Sequence, residues 1–315
     1  MYQHLYRWIC ESARVAILFV TMSTGALAQT CTVSMPTIAF GNVNVLAGAA
    51  VNTTSTVTLT CSGGTSAGQR VCISIGAGSA SDSTSRQLTG SGSNTARYDL
   101  YSNSAHTTLW GSWQTGYDIS GVQLDVPQNT TQPVTVYASF LGSQQTVIAG
   151  SYTATFTANP FIQYANKAST SCPTGSKTAS ASSSATATVV SSCNVSATNI
   201  NFGALGLLTG NNDASGTLSI QCNSTLPYTV SLNGGTSGAT DPTQRKMAFS
   251  STNIIYGLYR DSVHSLPWGS TVGTNTASGT GSGTLQNLTV YGRIAVQTTP
   301  KPGTYADTII VTVSY

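Results

Sequence analysis

The feature that most constrains the fold of this chain is an internal repeat that divides it into two halves. The first half begins Cys31-Thr-Val-Ser and the second Cys193-Asn-Val-Ser, and each reaches a Phe-Gly pair, at Phe40 or Phe202, with the same spacing. Further matches follow in the same order: Val57–Cys61 with Leu218–Cys222, Tyr98–Tyr101 with Tyr256–Tyr259, His106 with His264, Trp110 with Trp268, Val134–Tyr137 with Leu288–Tyr291, and Tyr152 with Tyr305. The repeat predicts two similar domains.

Both halves are rich in residues and patterns that favour β-strands. Short alternating runs, such as Thr56–Thr60 and Tyr228–Leu232, are separated by Gly, Asn and Ser, and no stretch has a convincing helical period. Only 7% of the residues are charged, against about 25% in an ordinary soluble protein. The sequence therefore predicts an all-β chain of two tandem β-sandwiches.

The charged residues argue against several classes of function. The formal net charge is only +3, without a dense Lys/Arg run, so a nucleic-acid partner is not expected. Glu11 is the only Glu, and no G-x-S-x-G motif with a plausible His partner occurs. His106 and His264 occur once per domain, too few for a metal site, and are interpreted as structural. We expect no enzyme, no metal and no cofactor.

Residues 1–28 have the features of a secretory signal peptide. Arg7 and Arg14 precede an apolar run, Val15–Val20, and Ala26-Leu27-Ala28 forms an A-x-A cleavage site. A membrane anchor is the alternative, but the apolar run is far shorter than the ~20 residues that span a bilayer. We therefore expect export and removal of this segment.

Cleavage after Ala28 would leave six cysteines, and an even number in an exported chain indicates disulfides. Because the halves align, Cys31–Cys61 and Cys193–Cys222 are expected to be equivalent bridges. Cys72 and Cys172 have no counterparts in the second half, and pairing them with each other is the simplest arrangement.

These features divide the chain into a first domain at 29–172 and a second domain at 193–315. Residues 173–192 lie between them and are rich in Ser, Ala and Thr. They predict either a flexible linker or, because Ser184–Ser192 alternates like a strand, a segment that completes the sheet of the first domain.

Seven short motifs follow one another within Cys193–Tyr315: Cys-x-Val-Ser, Ile-x-Phe-Gly, Leu-Tyr, Trp-Gly, Val-Tyr-Gly, Pro-Gly-x-Tyr-x-Asp and Val-x-Val-x-Tyr. This series resembles the spore coat protein U domain, the pilin module of archaic (Csu-type) chaperone–usher pili. The first half departs from it at Ala138 and Ala154. The resemblance implies an immunoglobulin-like fold that lacks its last strand. It also implies three partners: a periplasmic pilus chaperone, an outer-membrane usher, and the donor strand of the next pilin subunit.

The two ends of the chain sharpen this expectation. A final segment, Tyr305–Tyr315, places four side chains on one face, and no sequence remains for a further strand. We expect these side chains, Ile309, Val311, Val313 and Tyr315, to line a groove for the chaperone or a donor strand. Only Gln29 and Thr30 would precede Cys31 after cleavage, too few to form a donor strand. The chain is therefore expected at the tip of a pilus on the cell surface.

The first domain has extra aromatic residues where a surface contact is expected. Trp113 and Tyr117 have no counterparts in the second domain, whereas Trp110 aligns with Trp268 and favours a structural role. All three are candidate surface-binding residues, with local packing as the alternative. Gly76–Ala96 and Pro127–Pro133 are other candidate loops. The predicted function is a tip adhesin for surface attachment and biofilm formation, and the alternative is a non-adhesive pilus or coat protein.

Overall fold

The computed structural model describes residues 28–64, 66–79, 86–113, 119–158, 160–167, 172 and 177–315. These residues form β-strands, loops and two short 3₁₀ turns, Val45–Ala47 and Ser91–Ser93. The predicted all-β fold is thereby confirmed. The signal segment up to residue 27 lies outside the described residues, as does Tyr117. No helix in the described ranges has the length and apolar character needed to cross a membrane.

The first domain is a sandwich of two sheets. Its strands are β1 (Thr30–Ser34), β2 (Ile38–Val43), β3 (Val51–Ser62), β4 (Gln69–Ser74), β5 (Arg86–Thr89), β6 (Thr95–Tyr101), β7 (Val122–Val126), β8 (Thr130–Phe140), β9 (Gly150–Phe156), β10 (Phe161–Asn166), β11 (Lys177–Ser180) and β12 (Ser183–Val189). One sheet has the order β1-β3-β8-β6-β5-β9-β12-β2 and the other β11-β10-β4-β7.

The second domain repeats this arrangement with fewer strands. They are β13 (Cys193–Ala197), β14 (Asn212–Cys222), β15 (Pro227–Leu232), β16 (Arg245–Phe249), β17 (Thr252–Tyr259), β18 (Ala277–Thr280), β19 (Gln286–Ile294) and β20 (Val311–Ser314). One sheet has the order β13-β14-β19-β17-β16 and the other β18-β15-β20. Strand β20 therefore takes the place of β10, while the described residues provide no counterparts of β2, β9, β11 and β12.

Sequence alternation explains how the sheets pack. On β3, Val57, Leu59 and Cys61 are fully buried and the residues between them are more exposed, because neighbouring side chains of a strand point to opposite faces. The buried faces of the two sheets enclose one apolar core in each domain.

Three disulfides tie the sandwiches together. Cys31 lies directly opposite Cys61 across β1 and β3, and Cys193 lies opposite Cys222 across β13 and β14; both pairs are bridged with a Cα–Cα separation of 4.1 Å. The third bridge joins Cys72 on β4 to Cys172, 100 residues further along the chain. Each bridge restricts the unfolded chain and so stabilises the folded state.

Residues 173–192, predicted to be either a linker or a completing strand, contain β11 and β12. Both strands are paired within the first domain. Only residues 190–192 separate β12 from β13. The Val190 N–H donates to the carbonyl of Val43, and the backbone of Ser192 exchanges hydrogen bonds with Asn223 in the second domain. The connection is thus short and hydrogen-bonded on both sides.

Candidate strand-binding groove

In the first domain, β12 closes the gap between β2 and β9. It runs antiparallel to β9, pairing residues 183–189 with residues 150–156, and parallel to β2 along its other edge. Its inward side chains, Ala185, Ala187 and Val189, are at most 4% exposed. The first domain therefore fills its own core with a strand that comes late in its sequence.

In the second domain, no strand among the described residues fills the corresponding gap. The segments that align with β2 and β9, residues 200–205 and 303–309, are not strands. The latter keeps one bridge, Ala248–Ala306, which repeats the Thr89–Thr153 pair between β5 and β9. Residues 303–309 therefore hold the place of β9, but their other edge has no partner strand in the described chain.

The gap is visible as two adjoining cavities of about 760 and 590 Å³. Both are walled by Ile200, Phe202, Met247 and Tyr305, so they form one continuous opening between the sheets. We call this opening the second-domain groove. Its wall also includes the apolar side chains of Leu205, Leu207, Leu208 and Ile254.

Matched side chains in the two domains show what the missing strand would cover. Ile38 and Phe40 in the first domain are 0% and 6% exposed, whereas their counterparts Ile200 and Phe202 are only half-buried. Phe202 nevertheless packs edge-on against Tyr256, as Phe40 packs against Tyr98. The groove wall is therefore in place, and no strand of the described residues covers it.

A carboxylate, Asp307, stands in the wall of this groove. Asp307 Oδ2 accepts a hydrogen bond of 2.7 Å from Tyr256 Oη, and Oδ1 accepts bonds from the backbone N–H and hydroxyl of Thr236 and from the Thr308 N–H. Burial raises the pKa of Asp307, but these hydrogen bonds outweigh it and hold the pKa below its ordinary value. Burial and the bond to Asp307 raise the pKa of Tyr256. Asp307 is thus an ionised group held in the groove wall by four hydrogen bonds, three of them on Oδ1.

The side chains predicted to line a groove divide into two sets. Ile309, Val311 and Val313 are half-buried and pack against the core of the second domain, and the first two also wall the groove. Tyr315 is 58% exposed and lies outside the walls of both cavities.

The exposure of Tyr315 has a structural cause. In register it corresponds to Tyr164, because Ser314 pairs with Thr229 just as Gln163 pairs with Cys72. Tyr164 is 4% exposed and is paired with β11 at Lys177. The described second domain has no counterpart of β11, so its tyrosine remains uncovered.

Sequence reasoning missed the main walls of the groove. Ile200, Phe202 and Asp307 were not singled out as groove residues, although the first two belong to the repeated Ile-x-Phe-Gly motif. The alignment of the two halves could have identified them, because it matches Ile200 and Phe202 with β2 and Asp307 with Ala154 on β9. Only the structure reveals that β2 and β9 flank β12.

Trp110, one of the three candidate surface-binding residues, is fully buried. Its Nε1 donates to the carbonyl of Ile73, and its own carbonyl accepts a 2.6 Å bond from the buried Arg86 guanidinium. Trp268 and Arg245 repeat this arrangement in the second domain. The surface-binding interpretation of Trp110 is therefore wrong, because its ring is part of the core and its structural alternative holds.

Trp113 is partly packed and partly exposed. Its N–H donates to Ser74 Oγ at 3.0 Å, and its ring lies close over Gly121, where a Cβ atom would approach within 2.7 Å. The side chain is 37% exposed. Trp113 therefore has an apolar edge that can touch another surface, while Tyr117 lies outside the described residues.

The two repeated histidines share their backbone conformation and aromatic contacts, and His264 Nε2 also lies 3.7 Å from Asp213 Oδ1. His106 and His264 both adopt left-handed backbone conformations, with φ of 53° and 62°. Each ring packs edge-on against the tyrosine that ends the preceding strand, Tyr101 or Tyr259, at 5.1 and 5.2 Å. Within the described ranges no three His, Cys, Asp or Glu residues are grouped as metal ligands. The contacts of both histidines are those of turn-forming residues.

Two immunoglobulin-like sandwiches, one closed by its own strand and one with an open groove, define the class of this protein. Its sequence matches the Spore Coat Protein U domain over residues 17–159 and 179–312. The chain belongs to the Spore Coat Protein U domain family. No curated protein matches it.

Solved structures that are similar to this chain include two pilus tip proteins. One is described as the CsuC–CsuE chaperone–tip adhesion subunit pre-assembly complex of archaic Csu pili from Acinetobacter baumannii. It shares 17% identity at a TM-score of 0.53, covering 91% of this chain and 100% of that chain. The other is the CupB6 tip adhesin of Pseudomonas aeruginosa, with 10% identity and a TM-score of 0.35, covering 89% and 93%. The first likeness is one of fold, and the second is too distant to carry an argument.

Proposed function

We propose that this chain is the tip adhesin of an archaic chaperone–usher pilus, joined to the fibre through its second domain. The observation that carries the proposal is the contrast between the two domains. Strand β12 fills the gap in the first domain, and no described strand fills the second-domain groove. A strand donated by another subunit would complete the second domain as β12 completes the first, which is a form of β-augmentation.

Burial of the apolar groove wall would supply the favourable free energy of strand docking. Fully covering a large aliphatic or aromatic side chain contributes roughly 1.5–3 kcal/mol. Four or five such side chains would together match the net stability of a whole domain, about 5–15 kcal/mol. The same exposed surface explains the need for a periplasmic chaperone to cover the groove before an outer-membrane usher passes the subunit to its neighbour.

The first domain supports a position at the end of the fibre. Its gap is already occupied by β12, so it offers no slot for a donor strand. A subunit with one closed and one open domain is suited to terminate a fibre on the side of the closed domain. We infer that the first domain meets the surface, with Trp113 and Tyr117 among its contacts, and so promotes attachment and biofilm formation.

Labelling of assembled fibres tests this function. Gold-labelled antibodies against the first domain should bind once, at one end of each pilus, and deletion of the gene should reduce surface attachment. Labels spaced along the shaft would contradict the tip position and favour the non-adhesive structural alternative. Unchanged attachment after deletion would contradict the adhesive role.

A further inference from the structure

The first domain provides a template for how a strand meets the wall of the second-domain groove. On β12, Ala185 lies directly opposite Ala154 of β9 and beside Ile38 of β2. All three side chains are fully buried. In the aligned sequence, Asp307 replaces Ala154 and Ile200 replaces Ile38. A strand docked like β12 would therefore place one inward residue directly opposite the carboxylate.

The carboxylate of Asp307 is fixed where this residue would arrive. Oδ1 accepts three hydrogen bonds, two from Thr236 and one from the Thr308 N–H. Gly235 also abuts the carboxylate so closely that a Cβ there would collide with it. Among the described residues Oδ2 accepts one bond, from Tyr256 Oη. Oδ2 has two lone pairs, and only one of them meets a donor among the described residues, so Oδ2 has room for a second donor.

Resting on the proposed strand-acceptor function, we infer that Asp307 determines which donor strand fits. The donor residue opposite it carries a small hydroxyl side chain, Ser or Thr. Directly opposed residues of an antiparallel pair have Cβ atoms only about 4.5–5.5 Å apart, so this side chain faces the carboxylate. A hydroxyl can donate to Oδ2, and a hydrogen bond to an ionised acceptor is about twice as strong as a neutral one.

Other side chains fit less well for physical reasons. A bulky apolar residue would remove water from Oδ2 without replacing its hydrogen bond, which is unfavourable for a buried charge. A Lys or Arg gains less than usual, because the buried Arg245 guanidinium already places a positive charge near Asp307. In the first domain, where Ala154 stands in place of the carboxylate, the residue opposite it is the small apolar Ala185.

The inference can be tested with a variant of the full chain that carries a second copy of its own β11 and β12 sequence. Residues 177–189, which form β11 and β12, are fused behind Tyr315 of the full chain through a flexible Gly/Ser linker. The linker has ten residues, as many as separate β10 from β11 at 167–176. Three versions carry Ala, Ser or Leu at the position of Ala185 in the added strand. Hydrogen exchange of residues 303–309 reports docking.

The Ser version should protect residues 303–309 at least about tenfold more than the Leu version, with Ala between them. In the Asp307→Ala background, which copies Ala154, the advantage of Ser should disappear. Asp307→Asn, of nearly the same shape, should reduce it. Unchanged exchange in β14 and β19 controls for folding of the variants.

Two results would overturn the inference in distinguishable ways. Equal protection by all three added strands, or an advantage of Ser that persists in Asp307→Ala, would overturn the role of Asp307 and leave the strand-acceptor function standing. If none of the added strands protects residues 303–309 in any background, the strand-acceptor function fails, and the inference fails with it.

Discussion

Ala187 of β12 lies directly opposite Tyr152 of β9, and both side chains are at most 4% exposed. Tyr152 Oη donates to the carbonyl of Ile148, four residues earlier, and Tyr305 makes the same bond to Lys301. The tyrosine of the second domain is therefore anchored in the same way but has no described strand opposite it. This difference separates a closed domain from an open one.

The first prediction concerns the strand that closes the first domain. Ala187→Asp should destabilise this domain by several kcal/mol, because it buries an unpaired carboxylate between the sheets. Thr188→Asp is the matched control, since Thr188 is the next residue on the same strand and is exposed. Urea unfolding of the full chain measures both. A similar loss in the two variants would mean that β12 is not packed as described.

The second prediction concerns the buried arginine of the second domain. Arg245 donates to the carbonyls of Asn233, Pro242, Leu232 and Trp268. Arg245→Met should lower the unfolding free energy of the second domain by about 3 kcal/mol, because two fully buried bonds lose their donor. Lys246→Met, at the exposed neighbouring position, should change it by less than about 0.5 kcal/mol. Equal effects in urea unfolding would contradict a structural role for Arg245.

Much of the fold could be predicted from the sequence because the repeat and the alternation are both strong signals. Val57, Leu59 and Cys61 alternate with polar residues, and this pattern alone identifies β3 and its buried face. Strand β12 was harder to predict, because its inward residues include Ala185 and Ala187, and small residues in a Ser/Thr-rich segment also suit a flexible linker.

The groove could be predicted only in part. Ile309 and Val311 followed from alternation near the end of the second domain, and both wall the groove. Asp307 was missed because its role depends on which segments become neighbours in space, and neither alternation nor composition carries that information. For Trp110, only the structural interpretation agrees with the structure. The sequence left both interpretations open because aromatic residues occur in cores and at binding surfaces.

The third prediction concerns surface attachment. Combined Trp113→Ala and Tyr117→Ala should reduce adhesion several-fold while pili still assemble, because the partly exposed ring of Trp113 and the second aromatic residue of the proposed contact are removed. Val263→Ala is the control, since Val263 is 73% exposed but lies in the second domain. Cell adhesion and pilus counts are measured together. Unchanged adhesion with normal pili would exclude these two aromatic residues as the main contact.

The fourth prediction concerns acid stability. Because the pKa of Asp307 is lowered in the folded protein, the unfolded state binds more protons as the pH falls below about 5. The contribution of Asp307 to stability is therefore present at neutral pH and is lost as the pH falls through its folded pKa. Tyr256 and Arg245 are the titratable groups facing it. Tyr256 stays neutral and Arg245 charged throughout this range.

Asp307→Asn isolates this contribution from those of the other aspartates. The difference in unfolding free energy between wild type and variant should be largest near pH 7 and should shrink towards pH 3. A difference that is constant over this range would contradict an ionised Asp307 in the folded domain.

The central claim is that the second-domain groove is open to an added strand, whereas β12 already fills the corresponding gap in the first domain. Hydrogen exchange of the purified full chain, without any partner, tests this directly, because the chain contains its own reference. Residues 150–156 should exchange slowly, and the aligned residues 303–309 should exchange at least about a hundredfold faster. Equal protection of the two segments would show that the second domain is already closed and would contradict the account.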